Sequence, residues 1–312
     1  MLKKLALGTA FALMTMTSAH AAEKVTVLLD WFINPDHAPI MVAEQIGAFK
    51  DAGLEVEIVP PADPSMPPRL VAAKQADLAI SYQPQLYMYA EQGLPLVRVG
   101  TIVNSPLNTV AVLASSPIKT MADFKGKKIG YSVSGVEEAT LGTMLKQGGL
   151  TLADITMVNV NFQLVSALMA GQVDAVIGGY RNFEATEMRD LGVEPRLFNV
   201  EEFGVPTYDE LIVLANKDSV NDPKIKKFME AMKKGTEYLL AHPQETWEAF
   251  AKTHPDLNNN LNKTAWTDTL PMFAKDPLAL DVARYEAYSK FLFDNKLIKA
   301  ELPIGDYAVE LK

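Results

Sequence analysis

Apolar residues recur along this chain in short runs that alternate with amphipathic stretches, which predicts strands and helices in turn. Residues 25–29 form a β-rich run, and 40–50 carry the spacing of a helix with Gly53 as its stop. Leu54-Glu55-Val56-Glu57-Ile58-Val59 alternates apolar and polar positions as a half-buried strand does. Pro67 and Pro68 open a helix over 67–75. A strand follows at 77–81, then a helix that starts near Pro84 and runs to Glu91. Two longer strands are expected at 96–103 and 108–114. A second β/α run has strands at 128–131, 155–160, 174–178 and 196–200, and another strand follows at 209–215. Beyond Asp222 the pattern is mostly helical, over 223–241, 243–253, 263–273 and 278–294, with Trp247 and Trp266 in apolar faces that read as core.

Strands alternating with helices predict an α/β protein with mostly parallel sheets covered on both faces. At about 150 residues per domain, 312 residues suggest two lobes. The breaks at Ser115-Ser116-Pro117 and at Gly204-Val205-Pro206 read as the two crossovers between them. Lobe 1 is then discontinuous, 22–114 plus 207–312, with lobe 2, 115–206, inserted in it. A ligand would lie in the cleft, and hinge motion would close both lobes on it.

The N-terminus changes the expected compartment. Lys3 and Lys4 precede an apolar run to Met14, and Ala19-His20-Ala21 ends the segment, the n-region, h-region and A-x-A site of a secretory signal peptide over 1–21. The apolar run is short of the ~20 residues a membrane-spanning helix needs. With no Cys for lipid attachment, a free periplasmic protein is expected. The chain has no cysteine at all, which excludes disulfides, thiol catalysis and Cys-ligated metals. Without Lys3 and Lys4, 27 basic residues face 38 acidic ones, a net charge of −11 that argues against nucleic acid or an anionic membrane as partner.

Candidate chemistry sits where predicted strands deliver loops onto helix N-termini, the ligand position in such sheets. Leu29-Asp30-Trp31-Phe32-Ile33-Asn34-Pro35-Asp36-His37 is one such loop. Trp31 can stack on a flat ligand and Asn34 can read hydrogen-bond edges; the competing reading is a buried Trp and an Asx-Pro turn that caps the helix. Ser81-Tyr82-Gln83 occupies the same strand-to-helix position. Gly130-Tyr131-Ser132-Val133-Ser134-Gly135 opens a helix expected at Val136, so Ser132, Ser134 and Gly135 can meet a polar ligand edge or simply cap the helix. In Gly178-Gly179-Tyr180-Arg181-Asn182-Phe183-Glu184, Tyr180 offers a ring and Glu184 an acceptor for an amino-substituted heterocycle. Equally, Glu184 could complement the helix dipole and Asn182 could cap.

Enzyme templates fit poorly. There is no G-x-S-x-G elbow, no H-E-x-x-H and no Walker lysine. His37, His242 and His254 lack metal spacing, and His37 reads as a capping or ligand-edge residue. No catalytic residue, metal or cofactor is expected.

Asp30-Trp31 with Asn34-Pro35-Asp36-His37, Ala43-Glu44-Gln45-Ile46-Gly47-Ala48-Phe49 and the stretch Ala73 to Ser81 together resemble the periplasmic pyrimidine-precursor-binding proteins of thiamine uptake. Met121-Ala122-Asp123-Phe124-Lys125-Gly126-Lys127-Lys128-Ile129-Gly130 is similar to the wider group that binds alkanesulfonates, taurine and nitrate. The resemblance covers about 24–255. It implies the two-lobed type II solute-binding fold, a monomer, and an ABC importer permease with its ATPase as partner. It also implies that Trp31 and Tyr180 stack on an aminopyrimidine such as formylaminopyrimidine or hydroxymethylpyrimidine. Glu184 would accept from its amino group, and Asn34 and His37 would bind polar edges. Ile33 and Asp36 depart from the family pattern, and Asp36 brings an acidic group towards the ligand. The same fold binding an alkanesulfonate, taurine, nitrate or a riboflavin-like ligand is the alternative, though Glu137 and Glu138 disfavour an anion at the helix opening. A related fungal enzyme makes the thiamine pyrimidine from pyridoxal phosphate and its own histidine, with a cysteine-rich iron motif. The lack of cysteine argues against that activity here. A receptor that presents its closed form to a sensor fits the same features.

Overall fold

The computed structural model describes residues 21–135 and 139–311. The expected signal peptide falls on 1–21 and lies, except for Ala21, outside the described residues, as does the helix expected at Val136. Strand β1 (Glu23–Leu28) runs into helix α1 (Ala38–Gln45), α2 (Ala48–Asp51), β2 (Leu54–Val59), α3 (Pro67–Ala72), β3 (Leu78–Ser81), α4 (Gln83–Glu91) and β4 (Leu96–Val103). The second run is β5 (Asn108–Leu113), β6 (Lys128–Tyr131), α5 (Leu141–Lys146), β7 (Thr156–Asn159), α6 (Leu164–Met169), β8 (Ala175–Tyr180), α7 (Glu184–Asp190) and β9 (Pro195–Asn199). The chain then adds β10 (Leu211–Asn216), α8 (Pro223–Ala241), α9 (Pro243–Thr253), α10 (Asn260–Thr269) and α11 (Val282–Asp294).

Two five-stranded sheets result, in the orders β2-β1-β3-β10-β4 and β7-β6-β8-β5-β9. Each has one reversed strand. β10 runs antiparallel to β3 and β4, and β5 runs antiparallel to β8 and β9, while the other pairs are parallel. In each sheet the reversed strand is the one that has just arrived from the other lobe, so the two sheets share one plan.

This corrects the first expected boundary. β5 is hydrogen-bonded into the second sheet, so the first crossover lies between Val103 and Asn108 rather than after Ala114. A strand buried almost along its whole length carries no alternation to say which sheet it joins. The return to the first sheet falls between Asn199 and Leu211. The helix expected over 40–50 is also two pieces, because Gly47 takes a left-handed φ of 74° between α1 and α2.

One core packs α1, α8 and α9 on the first sheet, with Phe49 stacked on Phe228 at 4.9 Å. The approach of α8 to α1 is close enough that a Cβ on Gly235 would sit 2.5 Å from the Pro39 carbonyl oxygen. A second core runs from the first sheet through α4 and α11 to the second sheet, so the C-terminal helix ties the lobes together from behind. Among the described residues no helix is long and apolar enough to cross a membrane.

Candidate functional site

The carboxyl ends of the strands in both sheets face each other across a cavity with about 810 Å³ of empty space, part of it open to solvent. The first lobe contributes the loop after β1, which the sequence organises locally. Asn34 Oδ1 accepts from the Asp36 N–H at 2.8 Å and Pro35 follows at the first turn, so the Asx-Pro turn is real and Asn34 is its cap. The Asn34 N–H donates to His37 Nδ1 at 3.3 Å, which leaves the proton on Nε2, 2.9 Å from Asp30 Oδ1. The Tyr82 hydroxyl donates to the other Asp30 oxygen at 2.8 Å. Burial, then the neighbouring Asp30 carboxylate, pushes the Tyr82 hydroxyl well above its ordinary range, so it stays a phenol and a donor. His37 is therefore fully buried and occupied by this network, while its ring edge and Asn34 line the cavity.

Trp31 lines the mouth. Its ring meets Phe162 of the β7–α6 loop edge-on at 4.7 Å, and the Phe32 ring lies 4.5 Å from that of Phe162, so an aromatic lip joins the lobes. Phe32 is itself 52% exposed.

The second lobe contributes Tyr180 and Glu184 from the turn between β8 and α7. Glu184 Oε2 accepts the Tyr180 N–H at 2.7 Å, so the acid folds back over its own turn while lining the cavity. Burial pushes its carboxyl up to about 8. Asn182, the other expected group of that loop, does not line the cavity. Its Nδ2 donates to Asp36 Oδ1 at 2.6 Å and to Thr269 Oγ1 at 2.7 Å, making it a bridge between lobes.

Ser81 and Gln83, also expected at the site, do not line the cavity. Ser81 Oγ donates to Gln85 Oε1 at 3.1 Å, within its own strand-to-helix turn. Gln83 is fully buried; it donates to the Tyr87 hydroxyl at 2.8 Å and accepts the Asp209 N–H at 2.7 Å, which pins α4 to β10. Ser132 lines the cavity, but its hydroxyl is spent on the Asn161 carbonyl. Ser134 and Gly135 are exposed and off the lining, and the Ser134 carbonyl accepts from Gln85 Nε2 at 3.0 Å. A strand-to-helix position puts a residue near the cleft without saying which way its side chain turns.

Three further acids reach the cavity, of which only Asp36 was expected to face the ligand. Asp30 and Asp36 come from the β1 loop and Glu210 from the residue just before β10, and all three line the cavity. Glu210 accepts the Leu107 and Asn108 N–H groups at 2.6 and 2.9 Å and the Tyr208 hydroxyl at 3.1 Å, where both crossovers meet. Burial pushes Glu210 up to about 7 and Asp36 up to about 6. The signal was a charged residue at the mouth of an otherwise apolar strand, as in Asp209-Glu210. With Glu184 the cavity holds four buried carboxyl groups, and among the described residues no Lys or Arg lines it. Such a wall can accept hydrogen bonds from a neutral or cationic ligand and repels an anion.

Comparisons with known proteins agree with this architecture. The family model described as NMT1/THI5 like matches residues 34–246. A protein of Haemophilus influenzae named for thiamine biosynthesis is 50% identical over 301 residues, 96% of each chain. A formylaminopyrimidine-binding protein of Halalkalibacterium halodurans is 34% identical over 246 residues, covering 78% of this chain and 74% of its own. A 4-amino-5-hydroxymethyl-2-methylpyrimidine phosphate synthase of Aspergillus parasiticus is 27% identical over 287 residues, 87% of this chain and 83% of its own. Among solved structures, the alkanesulfonate-binding protein SsuA of Xanthomonas axonopodis pv. citri superposes with a TM-score of 0.72 at 18% identity, over 93% of this chain and 99% of its own. At that identity the likeness is one of fold, the two-lobed periplasmic binding protein architecture.

Proposed function

The chain belongs to the NMT1/THI5-like family, and from that premise we propose that it captures a small aminopyrimidine precursor of thiamine and delivers it to an ABC importer from the periplasm. The observation that carries this reading is the cavity wall: aromatic rings, Trp31 and Tyr180 among them, beside four buried carboxyl groups and, among the described residues, no lining Lys or Arg. A flat, electron-poor ring bearing amino groups matches both features, since rings stack on it and carboxylates accept its N–H donors. Trp31 and Tyr180 are assigned to stacking and Glu184 to the amino group, while Asn34 and His37, whose polar side-chain atoms are engaged within the loop, hold Trp31 in place rather than bind the ligand edge. The name of the Halalkalibacterium halodurans relative supports the same ligand class. The shared fold with an alkanesulfonate binder does not extend to its ligand, because a sulfonate would meet carboxylates here rather than a cation.

Capture without chemistry is the reading adopted over the synthase reading. The chain has no cysteine from which to build a cysteine-rich iron motif. Incubation with pyridoxal phosphate and iron separates the two: a binder leaves the masses of the His37, His242 and His254 peptides unchanged, and a loss at any of them would support a synthase.

The test of the ligand is a thermal-shift screen of residues 22–312 against thiamine, its pyrimidine precursors, riboflavin, taurine, alkanesulfonates and nitrate. A ligand at ~100 times its dissociation constant adds ~2.7 kcal/mol, a shift of several degrees. Stabilisation by pyrimidines alone is expected. Stabilisation by sulfonates or nitrate would overturn the pyrimidine assignment.

A further inference from the structure

Asp36 is 1% exposed, and its two carboxyl oxygens have different surroundings. Oδ1 accepts two hydrogen bonds, from Asn182 Nδ2 of the second lobe at 2.6 Å and from Thr269 Oγ1 of α10 at 3.0 Å. Oδ2 is buried and has no hydrogen-bond partner, although Asp36 lines the cavity. A buried carboxyl oxygen without a donor is costly, so native proteins rarely leave one unmet. Among the described residues no Lys or Arg lines the cavity to meet it, and both ring nitrogens of the lining His37 are engaged with Asn34 and Asp30. A donor on a ligand held in the cavity, which Asp36 lines, would meet it.

The geometry points to Asp36 as a second ligand acceptor, supplied by the first lobe and facing Glu184 of the second. This rests on the pyrimidine reading of the cavity and narrows it. The ligand is a nitrogen heterocycle with an amino donor on one edge and a separate N–H or O–H donor on another, one for each lobe's carboxylate. A heterocycle with a single donor edge would leave one of the two acids unmet. Asp36 adds a second consequence, because the carboxylate that receives the ligand through Oδ2 holds Asn182 across the cleft through Oδ1. Ligand and lobe-to-lobe bridge thus meet on one side chain, so a ligand that satisfies Asp36 favours the closed arrangement.

The test compares two ligands by calorimetry, 4-amino-5-hydroxymethyl-2-methylpyrimidine and 4-amino-2,5-dimethylpyrimidine, which keeps the amino group and lacks the hydroxyl donor. The wild-type protein is expected to bind the first about 10-fold or more tightly than the second, the range of a hydrogen bond to a charged group. Asp36→Asn keeps an oxygen for Asn182 and Thr269 but replaces the free acceptor, and should shrink that preference to about 2-fold or less. Glu184→Gln should weaken both ligands while keeping the preference. Asp36→Ser, which also removes the carboxylate, serves the same comparison if the first variant does not fold. Equal wild-type affinity for the two ligands, or an undiminished preference in Asp36→Asn, overturns the assignment while leaving the pyrimidine reading standing. A wild-type protein that binds neither overturns that reading and the assignment with it.

Discussion

At the scale of single residues, the site is governed by acids that burial holds partly protonated. Glu184, Glu210 and Asp36 are pushed up to about 8, 7 and 6 from ordinary values of 4.5, 4.5 and 3.8. In each case the folded state holds a proton that the unfolded chain has already released. The resulting stability is fully present below the unfolded value and is lost as pH rises through the folded one. The melting temperature of the ligand-free protein should therefore fall between about pH 5 and pH 8. Asp123 and Asp154 act the other way, since backbone hydrogen bonds lower both, but they act only below about pH 4, outside that window. Glu184→Gln removes one of the buried acids, so it should raise the melting temperature at pH 8 and flatten the profile. Above about pH 8, where the Glu184 carboxyl is ionised, the same variant should weaken aminopyrimidine binding by about 1.5–3 kcal/mol, the worth of a charged hydrogen bond. Calorimetry and melting curves on one preparation check both, and a variant that binds as tightly as the wild type would end the role given to Glu184. Among residues, Trp31, Tyr180 and Glu184 were visible in the sequence because ring and carboxylate types stand out at strand ends. Asp36 was visible only as a departure from the family loop, since its unpaired oxygen depends on Asn182 and Thr269, 146 and 233 residues away.

At the scale of elements, α1 and α8 carry the most direct link between packing and site. α1 begins at Ala38, immediately after the loop that positions His37 and Asn34. It lies so close to α8 that Gly235 has no room for a side chain beside Pro39 and Ala43. Gly235→Ala should force the helices apart and cost about 1–3 kcal/mol, as overpacking a filled core does. Because the displaced helix holds the ligand loop, affinity should fall along with the denaturation midpoint. Unchanged affinity at reduced stability would show that the loop is held by its own Asx turn alone. Most element types were readable from periodicity and punctuation, as with β4, β6, α8 and α9, where apolar runs end at Gly or Pro. Ends depended on local chemistry, as at Gly47. The pairing of β5 was not readable, since its fully buried middle fits either sheet and only the partners β8 and β9 decide it.

At the scale of the whole molecule, the lobes touch through the loop after β1. The Asp36–Asn182 bridge is one contact and the Trp31–Phe162 lip another, while Glu210 fastens the backbone of the crossovers. Asn182→Ala removes a hydrogen bond available only when the lobes are together. It should reduce apparent ligand affinity by about 1–3 kcal/mol through a smaller closed population. In small-angle scattering the variant should also need more ligand to reach the compact form. A variant whose compaction follows the wild-type titration would show that the bridge does not contribute to closure.

The amino-acid sequence by itself determined the order of strands and helices, the two-lobed α/β class, and the loops at strand ends that hold rings and acids. Those follow from periodicities of two and 3.6 residues and from turn chemistry, which act over a few neighbours in the chain. Tertiary structure alone decided which sheet receives β5, and that Ser81, Gln83 and Asn182 serve the frame while Asp30 and Glu210 face the cavity. Side-chain direction and hydrogen-bond satisfaction depend on partners up to 233 residues apart, and no local pattern encodes them.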